Sequence, residues 1–81
     1  MSKTQSKTLT RTQMSVQNGI KILKTALKSG VSLSEASRRH DFGRNYVSDV
    51  KSRVKENYKN KNIDRETYQE FTNLVKNYES L

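Results

Sequence analysis

The sequence contains no cysteine, which excludes a disulfide framework and a thiolate metal site. It has a single histidine, His40. One histidine without cysteine partners supplies no metal-ligand set, so a structural role at the edge of a core is expected for it. No apolar run approaches the roughly 20 residues that span a bilayer, and no signal-peptide pattern opens the sequence. No nucleotide-binding loop, nucleophile triad or paired acid/base site is visible. Enzymatic activity, a cofactor, a small-molecule ligand and a membrane partner are therefore not expected. Hydrophobic residues are scarce, at 31% of 81 positions. That length suits one small domain with a thin core, marginal as a monomer, to which a partner or self-association would contribute.

Acidic residues are also missing from a long stretch: none precedes Glu35. The net charge is +8, with a pI of about 10.0. Residues 1–63 hold fourteen Lys and Arg against four Asp and Glu, a net +10, while residues 64–81 hold two against four, a net −2. A merely solubilising surface mixes the signs more evenly. This separation points to a basic part that meets a polyanion and a near-neutral part with another task.

Residues 1–13 read as a disordered basic arm, either a solvated tail or, through Lys3, Lys7 and Arg11, a segment lying along a DNA groove. Four helices are predicted after it. The first spans about Ser15 to Lys28, with Val16, Ile20, Leu23 and Leu27 at helical period, Ser15 as N-cap and Gly30 as terminator. Gly19 inside it weakens the helix, and Lys21, Lys24 and Lys28 form a stripe beside the apolar face. The second runs from Ser32 or Leu33 to His40. There, Ser32 and Glu35 have capping-box spacing. The third starts near Gly43 or Arg44 and reaches Tyr58 on a stripe of Val47, Val50, Val54 and Tyr58. After a polar loop at 59–62, Asp64 caps a last helix that reaches about Ser80. Ile63 serves it as a hydrophobic staple. The fold class expected is all-α: a helical domain over 14–81.

The segment Ser32-Leu-Ser-Glu-Ala-Ser-Arg-Arg-His-Asp-Phe-Gly-Arg-Asn-Tyr-Val-Ser-Asp-Val carries the most information. It resembles the helix-turn-helix signature of bacterial and phage repressors, resolvases and transposase DNA-binding domains. Leu33, Ala36 and His40 match its inward positions, and Ser37 its small residue at the helix crossing. Asp41-Phe42-Gly43 matches the turn, with Phe42 as anchor, and Val47 and Val50 seat the second motif helix. Two positions depart from the pattern: Asp41 where glycine is usual, and His40 where leucine is.

The resemblance implies double-stranded DNA as partner, with the second motif helix in the major groove. With Val47, Val50 and Val54 inward, Arg44, Asn45, Ser48, Asp49 and Ser52 face the bases. Arginine pairs bidentately with guanine and asparagine with adenine. Asp49 either accepts from a cytosine amine or pairs with Arg53 four residues on. Phosphate contacts are expected from Ser32, Ser34, Arg38, Arg39, Lys51 and Arg53. Tyr46 covers a phosphate or thymine methyl, or packs at the domain edge. The last helix carries Tyr68, Phe71, Val75 and Tyr78 either for packing or for a homodimer interface. Taken together, these features suggest a small transcriptional regulator of phage or mobile-element type, in the cytoplasm of a bacterial cell or phage-infected host. The alternatives are a recombination or packaging accessory, and an inhibitor that uses the same fold against a protein.

Overall fold

A computed structural model describes residues 11–80. Among the described residues four helices form, close to where the apolar periodicity places them: α1 (Arg11–Ser29), α2 (Leu33–Arg39), α3 (Tyr46–Lys59) and α4 (Arg65–Glu79). No strand occurs among the described residues. α1 is the central element and touches the other three, most extensively α4. Its neighbours on several sides explain the width of its apolar face, since Val16, Ile20, Ile22, Leu23 and Ala26 are all buried. Ala36, Val47, Val54, Ile63 and Phe71 complete one core.

α1 begins earlier than its sequence suggests. Arg11, Thr12 and Gln13 are helical, so Ser15 lies inside the helix and is not its cap. The basic arm expected over 1–13 is thereby shortened, and its remainder, with Lys3 and Lys7, lies outside the described residues. A polar clasp between distant segments extends the helix. Gln13 Nε2 donates to Asp64 Oδ2 at 2.7 Å, and the Asp64 backbone N–H donates to Gln13 Oε1 at 2.9 Å. Asp64 Oδ1 meanwhile accepts from the Thr67 N–H at 2.8 Å, the expected cap of α4. Fifty-one residues separate the partners of this clasp, so no local pattern announces it.

Gly19 has a specific reason to be glycine. A Cβ there would lie 2.9 Å from Cε1 of Phe71, whose ring is fully buried. The expected loss of helix propensity is real, about 1 kcal/mol relative to alanine, but it permits α1 and α4 to approach closely. Phe71 therefore belongs to the domain's own core, which answers for this residue the choice between packing and interface. Tyr68 stacks on Tyr58 at 4.1 Å with 4° between the ring planes. The Tyr78 hydroxyl accepts from the Leu33 backbone N–H at 3.2 Å, tying α4 to the start of α2.

One closure ends three helices. Gly30, Asp41 and Lys61 have φ of 66°, 65° and 64°. Just after each, Val31 N–H bonds to Ala26 C=O (3.2 Å), Phe42 N–H to Ser37 C=O (2.8 Å) and Asn62 N–H to Asn57 C=O (2.9 Å). These are the six-to-one bonds of the Schellman motif. Gly30 was foreseeable as a terminator, and Asp41 matches its expected left-handed turn. Lys61 carries no such signal in its residue type.

Two outcomes follow for stability. Gly19→Ala improves propensity by about 1 kcal/mol, yet overpacking against a confined ring costs about 1–3 kcal/mol. The variant is expected to unfold at lower urea than wild type, and a raised midpoint would refute the close approach. Phe71→Ala is expected to cost about 3–5 kcal/mol and to remove most of the helical signal in circular dichroism.

A third outcome concerns acid. The Thr67 backbone N–H, then the Gln13 side chain, hold the Asp64 carboxyl below its usual 3.8. A carboxylate favoured in the folded state contributes stability above its unfolded pKa, and that contribution is lost as pH falls through the lower folded value. Stability of wild type is thus expected to decline below about pH 4, and Asp64→Asn to be less stable near neutrality with a shallower acid limb. Identical acid limbs would show that the clasp is not formed in solution.

Candidate nucleic-acid interface

α2 starts because the Ser32 hydroxyl accepts from the Glu35 N–H at 3.1 Å. Only this half of the expected capping box forms. The Glu35 carboxylate turns instead to Arg39 at 3.3 Å and Arg38 at 3.9 Å, four and three residues on. Ala36 and Ser37 face inward and are fully buried. Ser37 is small, as close packing of α2 on α1 and α3 requires, but its hydroxyl finds no partner. Leu33 and His40 are half-buried rather than enclosed. His40 Nε2 lies 2.7 Å from the Thr25 hydroxyl of α1, in keeping with a structural histidine at a core edge.

The connection from α2 to α3 is built from Asp41 and two aromatic rings. Asp41 reverses the chain, and Phe42 packs against the core. The rings of Phe42 and Tyr46 lie 4.3 Å apart, tilted by 32°. The Tyr46 hydroxyl donates to the Ser15 carbonyl and accepts from Asn18 Nδ2, both at 3.4 Å. Of its expected roles, Tyr46 thus takes the packing one: its polar end is spent on α1 rather than presented outward.

α3 begins at Tyr46, later than the expected start at Gly43 or Arg44. The Tyr46 N–H bonds to the Gly43 carbonyl at 3.0 Å, so Arg44 and Asn45 form a turn leading into the helix. Asn45 occupies the N-cap position without a side-chain cap bond. Val47 and Val54 are buried and Val50 is half-buried, as their spacing predicts. Arg44, Asn45, Ser48, Asp49 and Ser52 are all exposed. Ser48 and Ser52 share the face opposite the valines, one turn apart. The Ser52 hydroxyl donates to the Asp49 carbonyl at 2.7 Å. Lys55, three residues beyond Ser52 and seven beyond Ser48, extends this exposed face. The same helical spacing, carried one turn further, would have included it.

Ion pairs divide the cations into two sets. Lys51 reaches across to Glu79 on α4, and Lys24 bonds to Glu70 on α4 at 3.0 Å. Arg38 and Arg39 are exposed but share Glu35. The expected pair of Asp49 with Arg53 does not form: no ion pair joins them within 4.0 Å. Arg53 instead lines a groove between α1 and α3, together with Asp49, Thr12, Ser15 and Asn57. Ser34 is exposed, whereas the Ser32 hydroxyl is occupied by its capping bond. Among the described residues, no group of three His, Cys, Asp or Glu could hold a metal ion, and no helix is long and apolar enough to cross a membrane.

Comparison of the chain with protein-family models, curated proteins and solved structures found no match.

The turn that positions α3 gives a direct test. A Cβ in the left-handed region costs roughly 1–2 kcal/mol, and glycine's extra freedom in the unfolded chain offsets about 0.4–1 kcal/mol of any gain. Asp41→Gly and Lys61→Gly are each expected to raise stability by about 0.5–1 kcal/mol in thermal melts. Losses in both variants would mean that these residues are not left-handed in solution.

Proposed function

We propose that this chain binds double-stranded DNA, with α2, the Asp41 turn and α3 acting as a helix-turn-helix, and that it serves as a small transcriptional regulator of phage or mobile-element type. One observation carries the reading. Arg44 and Asn45 are exposed together at the entrance to a helix whose outward face bears the short polar side chains of Ser48 and Ser52. Among the described residues, no ion pair competes for Arg44. A helix entering the major groove offers its N-terminal residues to base edges, which is where these side chains stand.

The roles follow from side-chain chemistry. Arg44 matches the O6 and N7 acceptors of guanine, and Asn45 the N6 and N7 edge of adenine. Ser48 donates or accepts, and Ser52 keeps lone pairs free beyond its bond to the Asp49 carbonyl. Asp49, exposed and without an arginine partner, accepts from a cytosine amine. Arg38, Arg39 and Arg53 supply phosphate contacts, with Lys55 as an addition and Ser34 as a neutral donor. Lys51 joins them by exchanging Glu79 for a phosphate. In this reading α4 stabilises the domain and presents the near-neutral side. A homodimer on two half-sites is the form in which such domains commonly act.

Selection of bound sequences from a random duplex pool tests the proposal. An enriched motif is expected, and a palindromic one would mark the dimer. Binding should weaken steeply with salt, because phosphate neutralisation releases counterions. No enriched motif together with salt-independent binding would overturn the reading. Arg44→Ala and Asn45→Ala are each expected to weaken the selected site by about 1–3 kcal/mol, with smaller effects on unrelated duplexes. If both variants keep the wild-type sequence preference, α3 does not read bases.

A further inference from the structure

α1 contains no acidic residue. On one side it carries Arg11, Met14, Asn18, Lys21, Thr25 and Lys28 at alternating spacings of three and four. In a helix that spacing makes one continuous row. Two members fix the row's place in the fold. Asn18 bonds to the Tyr46 hydroxyl at the start of α3, and Thr25 bonds to His40 at the end of α2. The row therefore borders the turn through which the chain enters α3. Arg11, Lys21 and Lys28 are exposed, and among the described residues none is in an ion pair.

The tertiary structure reassigns the cations of this helix. From sequence, Lys21, Lys24 and Lys28 make one stripe. In the fold Lys24 leaves it, since its ammonium is held by Glu70 of α4. Arg11 joins instead, because it is helical and in register with Asn18 and Thr25. Arg11 and Lys28 are then separated by roughly 25 Å along the helix axis. That length corresponds to about seven base-pair steps of duplex.

We infer that Arg11, Lys21 and Lys28 form a phosphate-contacting rail, with α1 lying along the DNA backbone beside the groove that α3 enters. The inference rests on the DNA-binding reading and adds a contact surface outside the α2–α3 unit. A rail of this kind touches only phosphates, so it strengthens binding to every sequence and selects none. Its cations stay available because the acidic residues that pair with α1 lie on its α4 side.

The test compares the salt dependence of DNA binding for the full chain and three variants: Lys21→Gln with Lys28→Gln, Arg11→Gln, and Lys24→Gln as control. Each lost phosphate contact lowers the slope of log affinity against log salt by about 0.9. The double variant is expected to lose nearly two units of slope, and Arg11→Gln about one, without change in sequence preference. Lys24→Gln removes an equal charge about one turn from Lys21 and Lys28, from an ammonium already held by Glu70, and is expected to keep the wild-type slope. All these side chains are exposed, and circular dichroism checks that each variant is folded. A wild-type slope in the double variant, or an equal loss per charge in Lys24→Gln, overturns the rail while leaving the base-reading proposal standing. Salt-independent binding by wild type would overturn both.

Discussion

Gly19 has no side chain, and the ring of Phe71 occupies the space where one would begin. This contact sets the distance between α1 and α4, the largest helix pair in the domain. The other packing depends on it. With α4 close to α1, Ile63 can close the core from the loop, and Tyr78 can reach the N-terminus of α2. The Gln13–Asp64 clasp fastens the same two helices at their N-terminal ends. A chain with few hydrophobic residues thus gains from each one by bringing its helices close, because tight contact replaces area that a larger core would bury.

The exposed side of the molecule follows from this arrangement. α4 carries Glu66, Glu70 and Glu79 and uses two of them, Glu70 and Glu79, to neutralise Lys24 and Lys51. Both pairs are solvent-exposed, so they add little to stability. Their larger consequence is to distribute charge: Lys24 and Lys51 are cancelled by α4, while Arg44, Lys55, Arg11, Lys21 and Lys28 are in no ion pair among the described residues. In the DNA-binding reading the acidic helix does more than complete the core. It also confines the positive field to the side that approaches the duplex.

Three left-handed residues terminate helices in the same way, and two of them are not glycine. The turn at Asp41 has the most consequence, because it sets where α3 begins. α3 starts two residues beyond Arg44, leaving Arg44 and Asn45 on a turn ahead of the first helical residue. Their placement is held from below by Phe42 and Tyr46, which pack together and against α1. A half-buried aromatic support beneath exposed polar side chains keeps those side chains in position without using any of their hydrogen-bonding groups.

Local pattern determined much of this protein. The period of Val16, Ile20 and Leu23, and that of Val47, Val50 and Val54, set the helices and their inward faces, because burial follows helical geometry directly. The caps at Ser32 and Asp64, the left-handed Gly30 and Asp41, and the exposure of Arg44, Asn45, Ser48, Asp49 and Ser52 are local too. Other features depended on residues far apart in the chain. The start of α1 at Arg11 depends on Asp64, the need for Gly19 on Phe71, and the inward use of Tyr46 on Ser15 and Asn18. Periodicity shows that Lys21, Lys24 and Lys28 leave the core, but not which of them meets an acidic neighbour. Glu70 and Glu79 decided that for Lys24 and Lys51, and only folding brings those side chains within reach, since an ion pair is a matter of distance in space and not of order in the chain.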